Sequence, residues 1–192
     1  MINSDLSIYL ASKSPRRRKL LKQLGINFSS FSVNSSEDLI DGEYPQECVK
    51  RLAQEKMELA KRKVSNSIII TADTIVVLGK NVIGKPTSKS DALKILNKLS
   101  GKTHLVYTGF CVFNQKTKRL ITDYEKTEVE FRKLHKDEIL DYVDGGSPMD
   151  KAGAYGIQDD FGAVFVKRIN GCYYNVVGLP LTKLYNALRK AI

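Results

Sequence analysis

Apolar and polar positions alternate along this chain in two rhythms, one of period two and one of about 3.6, predicting interleaved strands and helices. The apolar run Ser7–Ala11 (SIYLA) has strand character and stops at Ser14-Pro15. Ser14 as N-cap and Pro15 at the first helical position open a helix that Gly25 closes. In Asn27–Val33 (NFSSFSV), Phe28, Phe31 and Val33 alternate loosely with polar residues, predicting a second strand before the polar loop Asn34–Tyr44. A longer helix is expected from Pro45 to about Lys63. Ile68–Leu78 (IIITADTIVVL) holds two β-branched runs interrupted by Asp73-Thr74, is followed by a turn over Gly79–Gly84, and reads as the sheet centre.

Ser88–Leu99 carries Ala92, Ile95, Leu96 and Leu99 at helical spacing, with Ser88 or Ser90 as cap and Gly101 as stop. Strands are expected over His104–Phe113 and Leu120–Leu134, flanking the turn Asn114–Thr117. Thr127, Val129 and Phe131 alternate with Glu128, Glu130 and Arg132, so one face of that strand should be wet. A short helix over about Lys136–Val143 leads to the loop Gly145-Gly146-Ser147-Pro148. A hairpin of Val164–Ile169 and Tyr173–Val177 around Asn170-Gly171 follows, then a helix from Pro180. Strands and helices mix without strict βαβ alternation, which predicts an α/β fold with a mixed sheet.

Composition narrows the class. At 192 residues, 42% hydrophobic and 27% charged, the chain suits one folded domain or two small lobes and excludes disorder. No run approaches the ~18 apolar residues of a membrane span, and the start MINSDLSIYLASKSP lacks a signal-peptide pattern, which predicts a cytoplasmic protein. Cys48, Cys111 and Cys172 form no CxxC pair, which argues against a disulfide framework or a thiolate zinc site. His104 and His135 are too few for a histidine cage, so a metal here would need oxygen ligands.

The formal charge of +10 invites a polyanionic partner: nucleic acid, an anionic membrane or a phosphorylated small molecule. Much of it is spread through Lys61-Arg62-Lys63, Lys116–Arg119 and Arg189-Lys190, as solvated surface would be. Arg16-Arg17-Arg18-Lys19 differs, because basic side chains in a first turn oppose the macrodipole. A bound phosphate would reverse that penalty, using the free N–H groups after Ser14. A solvated patch and a nucleic-acid contact remain open.

Lys56 lies near the middle of the apolar stripe Val49, Leu52, Ala53, Leu59 and Ala60, where it must snorkel outward or meet a carboxylate or phosphate; Glu37 is a candidate partner. Asp73, in an otherwise apolar stretch, is costly unless it is paired. An ion pair with Lys85 or a capped turn would suffice, and so would service as a hard-cation ligand or a base for water. Gly79-x-x-x-x-Gly84-Lys85-Pro86 nearly matches a P-loop but has Pro86 where a hydroxyl should hold magnesium, in a strand-turn-strand context, and is rejected as one. Asp150–Gln158 (DKAGAYGIQ) is either a tight surface loop or one that lets backbone approach a ligand while Gln158 reads a base edge.

Together these blocks resemble the Maf family of nucleoside triphosphate pyrophosphatases. The residues carrying the resemblance are LASKSPRR (Leu10–Arg17), Glu37, RLAQEK (Arg51–Lys56), ADTIV (Ala72–Val76), GKP (Gly84–Pro86), LSGKTHLVYTG (Leu99–Gly109), DKAGAYGIQ and YYNVVGLP (Tyr173–Pro180). The resemblance spans nearly the whole of residues 1–192 as a single domain. It implies a two-lobed α/β fold with a mixed sheet and flanking helices, similar to the inosine triphosphate pyrophosphatases, with a cleft between lobes. It also implies a cytoplasmic homodimer that cleaves a nucleoside triphosphate to monophosphate and pyrophosphate with a divalent cation. Asp73 matches the catalytic proton acceptor, and Arg16, Thr74 and Gln158 match the substrate-specificity positions. Glu37, Lys56, Lys85 and Lys151 fall at polar cleft positions. The DKAGAYGIQ block looks like the branch acting on dTTP and UTP. After Gln158, Asp159-Asp160-Phe161-Gly162 is one residue longer than the link in many relatives.

The expected mechanism has Asp73 and Glu37 holding Mg²⁺ or Mn²⁺, with Asp73 orienting or deprotonating water. Ser14 and Arg16 hold phosphate oxygens, Lys56 and Lys85 stabilise developing charge, and Gln158 with Thr74 selects the pyrimidine. No stable nucleic-acid or membrane partner is expected. The competing functions are a non-enzymatic regulator of septum formation and a pyrophosphatase for other modified nucleotides.

Overall fold

The computed structural model describes residues 2, 4–158 and 161–192, so Asp159 and Asp160 of the longer link lie outside the described residues. The strands are β1 (Ser7–Ala11), β2 (Ser29–Phe31), β3 (Ser67–Leu78), β4 (Asn81–Ile83), β5 (Thr103–Asn114), β6 (Arg119–Phe131) and β7 (Val166–Asn170). The helices are α1 (Pro15–Gln23), α2 (Pro45–Ala60), α3 (Lys89–Leu99), α4 (Lys136–Asp144), α5 (Tyr173–Val177) and α6 (Leu181–Ala191). The strands form one mixed sheet in the order β2-β1-β3-β5-β6-β7, with β4 paired to β3. β1 is parallel to both β2 and β3, while β4 on β3 and β7 on β6 are antiparallel.

Two compact units divide the chain. The first takes Met1–Asp73, Thr108–Glu125 and Gly178–Ile192; the second takes Thr74–Tyr107 and Lys126–Val177.

In the first unit, Ser14 caps α1 as its Oγ accepts the Arg17 N–H at 3.4 Å, with Pro15 in the first turn. α2 buries Ala53, Met57 and Ala60 against Ala11, Ile69, Cys111 and Phe113. Its approach to β5 is set by Gly109, where a Cβ would stand 2.3 Å from the Val49 carbonyl oxygen. Only a residue without a side chain lets the helix lie that close. The Thr71 hydroxyl on β3 then donates to the Ala53 carbonyl at 2.7 Å.

In the second unit, Leu96, Leu99, Val106, Val129, Phe131, Ile139 and Phe165 form the centre of an apolar core. Ser88 caps α3 by accepting the Asp91 N–H at 3.1 Å. On β6, Thr127, Val129 and Phe131 are buried while Glu128 and Glu130, and Arg132 just past its end, are half-exposed, as the alternation predicts.

Three expectations are corrected. Asp73-Thr74 does not interrupt the strand: β3 runs unbroken from Ser67 to Leu78, because Asp73 finds a cation at its own depth. The expected turn Gly79–Gly84 contains β4, whose Ile83 registers with Val76. Tyr173–Val177 is the helix α5, not the second strand of a hairpin. The fully buried Asn175 explains this, since its side-chain amide donates to the Val106 carbonyl at 3.0 Å and to Thr127 Oγ1 at 2.9 Å. These tertiary hydrogen bonds override a β-rich local pattern.

Candidate active site

The first unit gathers its chemistry around α2. Lys56 is buried with only 8% of its surface exposed, two turns beyond Val49 on the face that Gly109 holds against β5. Its ammonium donates to Asp73, itself buried, and to Glu37 Oε1 at 3.0 Å. The alternative of Lys56 snorkelling to solvent is therefore overturned, since its ammonium meets both carboxylates at depth.

Glu37 is exposed on the loop between β2 and α2, and that loop is clamped by Arg51. The Arg51 guanidinium donates to both carboxylate oxygens of Glu43 at 2.9 and 2.7 Å, to Glu55 at 2.8 Å and to the Asp38 carbonyl at 3.0 Å. Those hydrogen bonds hold the Glu43 carboxyl below the usual carboxylate range and raise the Arg51 guanidinium. Sequence reasoning quoted Arg51 within its block without a role; the readable signal was its i,i+4 spacing to Glu55.

The run Arg16–Lys19 divides by its position in the first turn. Arg17 turns inward: its Nε donates to the Gly178 carbonyl and its guanidinium to the Ala72 carbonyl, each at 2.8 Å. Burial lowers its affinity for the proton, with the nearby Asp73 charge acting the other way. Arginine stays charged at physiological pH regardless. Arg16 is half-exposed and Arg18 and Lys19 are exposed. Ser14 Oγ is occupied as the cap.

In the second unit, Thr74 follows Asp73 on β3 and is half-buried. Lys85 is exposed after β4 and borders, with Ile83, Asp91, Lys94 and Lys98, a concavity of about 330 Å³. The Gly153 N–H donates to the Gly84 carbonyl at 3.1 Å, tying the GKP segment to the Asp150–Gln158 loop. Lys151 donates to the Ser147 carbonyl, to Ser147 Oγ at 3.2 Å and to Asp150 at 2.9 Å, so its ammonium braces its own loop. That loop is not a surface turn, because Gly153, Ala154, Tyr155 and Gly156 are buried. Gln158 is half-buried at its end.

Among the described residues no group of three or more His, Cys, Asp and Glu side chains could hold a metal ion. Asp73 and Glu37 nonetheless meet the same ammonium, so two hard-oxygen donors converge in the first unit. That set fits Mg²⁺ or Mn²⁺ bound by one or two carboxylates and completed by substrate phosphates. Burial pushes the Cys48 thiol up to about 11 and raises Cys111 as well. Among the described residues no helix is long and apolar enough to cross a membrane.

Residues 7–191 match the model of the family described as Maf-like protein. A dTTP/UTP pyrophosphatase of Clostridium perfringens (strain SM101 / Type A) is 47% identical over 185 residues, covering 95% of this chain and 96% of its own. A dTTP/UTP pyrophosphatase of Aquifex aeolicus is 46% identical over 185 residues, covering 96% and 95%. A solved HAM1 protein from Coxiella burnetii aligns over 97% of this chain and 100% of its own at 15% identity, with a TM-score of 0.46. The match across almost every residue, and the identity to relatives of nearly the same span, show that this chain belongs to the Maf family.

Proposed function

We propose that this chain hydrolyses dTTP and UTP to the nucleoside monophosphate and pyrophosphate. The observation that carries the reading is the buried Lys56 shared by Asp73 and Glu37, beside an α1 N-terminus that presents Arg16. The dTTP/UTP pyrophosphatases at 47% and 46% identity support the same chemistry.

A triphosphate carries about four negative charges near neutral pH, and more charge develops on the bridging oxygen as it departs. Asp73 accepts a proton from water as the water oxygen attacks the α-phosphorus. The bond from that phosphorus to the α–β bridging oxygen breaks, and pyrophosphate leaves with the electron pair. Lys56 holds the buried Asp73 carboxylate in place and faces the developing charge. Arg16 and the positive end of the α1 dipole bind phosphate oxygens, and Lys85 adds a further positive charge. Asp73 and Glu37 would hold Mg²⁺ or Mn²⁺, which supplies charge neutralisation when bound. Gln158 offers a donor and an acceptor to a pyrimidine edge, with Thr74 as its companion. A cytoplasmic homodimer without a nucleic-acid partner completes the reading.

The test is pyrophosphate release from a panel of canonical and modified triphosphates with Mg²⁺ or Mn²⁺. Hydrolysis of dTTP and UTP supports the assignment. Preference for modified nucleotides moves the substrate to that class, and silence from folded protein favours the septum-regulator function.

A further inference from the structure

The loop ending in Gln158 is held in a costly shape. Gly153 has φ +73° and a Cβ there would stand 3.0 Å from a Val76 methyl, so the loop backbone lies directly on β3. Ala154, with φ 58°, follows it into the left-handed region. An alanine in that conformation is strained and persists only where surrounding contacts over-determine it.

Those contacts converge on the next two residues. The Tyr155 hydroxyl hydrogen-bonds His104 Nε2 at 2.8 Å, and the Gly156 N–H donates to the Tyr142 hydroxyl at 3.2 Å. His104 is 1% exposed and stands edge-on to Phe131 and Tyr155, with ring centroids 4.9 and 5.4 Å away. Phe131 in turn stands edge-on to Tyr155 at 4.7 Å. His104 Nδ1 is buried with no hydrogen-bond partner among the described residues. An apolar side chain of similar shape would avoid that unsatisfied nitrogen but leave the buried Tyr155 hydroxyl without His104. Burial lowers the imidazole to about 4, so at neutral pH the ring is uncharged.

We infer that His104, through Tyr155, is a positioning residue that fixes the Ala152–Gln158 loop and thereby the base selectivity carried by Gln158. The selectivity half of this inference rests on the dTTP/UTP reading above; the anchoring half does not. Gln158 lies three residues beyond Tyr155, too few for the chain to absorb a displaced anchor without moving the side-chain amide. A misplacement of about 1 Å at a reading group is enough to cost one to two orders of magnitude in rate.

Two variants test it. Tyr155→Phe removes one hydroxyl and keeps the ring packing, and His104→Phe removes the partner nitrogen. Hydrogen exchange of the amides from Ala152 to Gln158 should accelerate about tenfold or more in each, and the pair should be non-additive. With the wild type hydrolysing dTTP, the ratio of its kcat/KM to that for dCTP should fall about tenfold, mainly through KM, while kcat for dTTP stays within about threefold. A purely structural role would lower the melting temperature and leave that ratio in place, which overturns the selectivity role. Unchanged exchange in Tyr155→Phe overturns the anchor, whether or not the wild type is active. A wild type that releases no pyrophosphate overturns the pyrophosphatase reading and the selectivity role together, and the exchange result still decides the anchor.

Discussion

The Arg17 guanidinium donates to the carbonyl of Ala72 at 2.8 Å, and Ala72 is the residue immediately before Asp73. The same fork reaches the Gly178 carbonyl, so the first turn of α1 fixes the backbone on which the candidate base is mounted. Arg17→Lys keeps the charge but cannot span both carbonyls. Steady-state kinetics should show kcat/KM for dTTP down about tenfold or more. Full activity in this variant would remove Arg17 from the support of Asp73.

Asp73→Asn retains the size of the side chain and loses its negative charge. If Asp73 accepts the proton, kcat should fall by about two to three orders of magnitude, the scale of a key electrostatic group, with circular dichroism unchanged. Wild-type turnover would end the assignment.

Lys56→Met leaves Asp73 buried without its ammonium. Removing one partner of a buried pair costs about 3–5 kcal/mol, so the thermal midpoint should drop by about 10 °C. Adding Asp73→Asn to Lys56→Met should recover part of that loss, because the uncompensated charge is gone. A double variant no more stable than Lys56→Met would contradict the pairing.

Gly109→Ala places a methyl 2.3 Å from the Val49 carbonyl oxygen, both of them backbone-fixed. α2 must then shift, carrying Lys56 with it. Denaturant unfolding should show a loss of about 3 kcal/mol or more, and the residual folded enzyme should be slower than wild type. An activity loss fully explained by unfolding would show that the helix position is not coupled to the site.

His104 gives stability a pH dependence with a defined sign. Its folded-state value of about 4 lies below the ordinary histidine range near 6.5, so the unfolded chain binds a proton that the folded one refuses. Stability is therefore full above about pH 6.5 and falls as pH drops toward 4, by up to about 3 kcal/mol. The titratable ring facing it, Tyr155, is raised above its usual value by burial and stays neutral throughout that window. Equilibrium unfolding at pH 7.5, 6 and 5 should show this slope, and His104→Phe should flatten it.

The local devices could be read without any fold. Ser14-Pro15 announced the start of α1, and Ser88 with Gly101 bounded α3, because caps depend on residues within a few positions of one another. Lys56 within an apolar stripe and Asp73 within an apolar run both violated the pattern around them, and the two violations proved to be each other's solution. That Lys56 meets Asp73 was not legible, because spacing along the chain says nothing about which helix lies over which strand. Arg17 and His104 gave no local sign of their roles. Each acts on a backbone carbonyl or hydroxyl far away in sequence, Ala72 for one and Tyr155 for the other.

By itself, the sequence determined most helix and strand periodicities, the caps and the family, since each is carried by residue types at short spacing or by their order. Tertiary structure decided which groups meet: Lys56 between Asp73 and Glu37, Arg51 over Glu43, Asn175 turning YYNVV into a helix. The physical reason is the cost of burying a polar group unpaired, which is settled only when long-range packing delivers the partner.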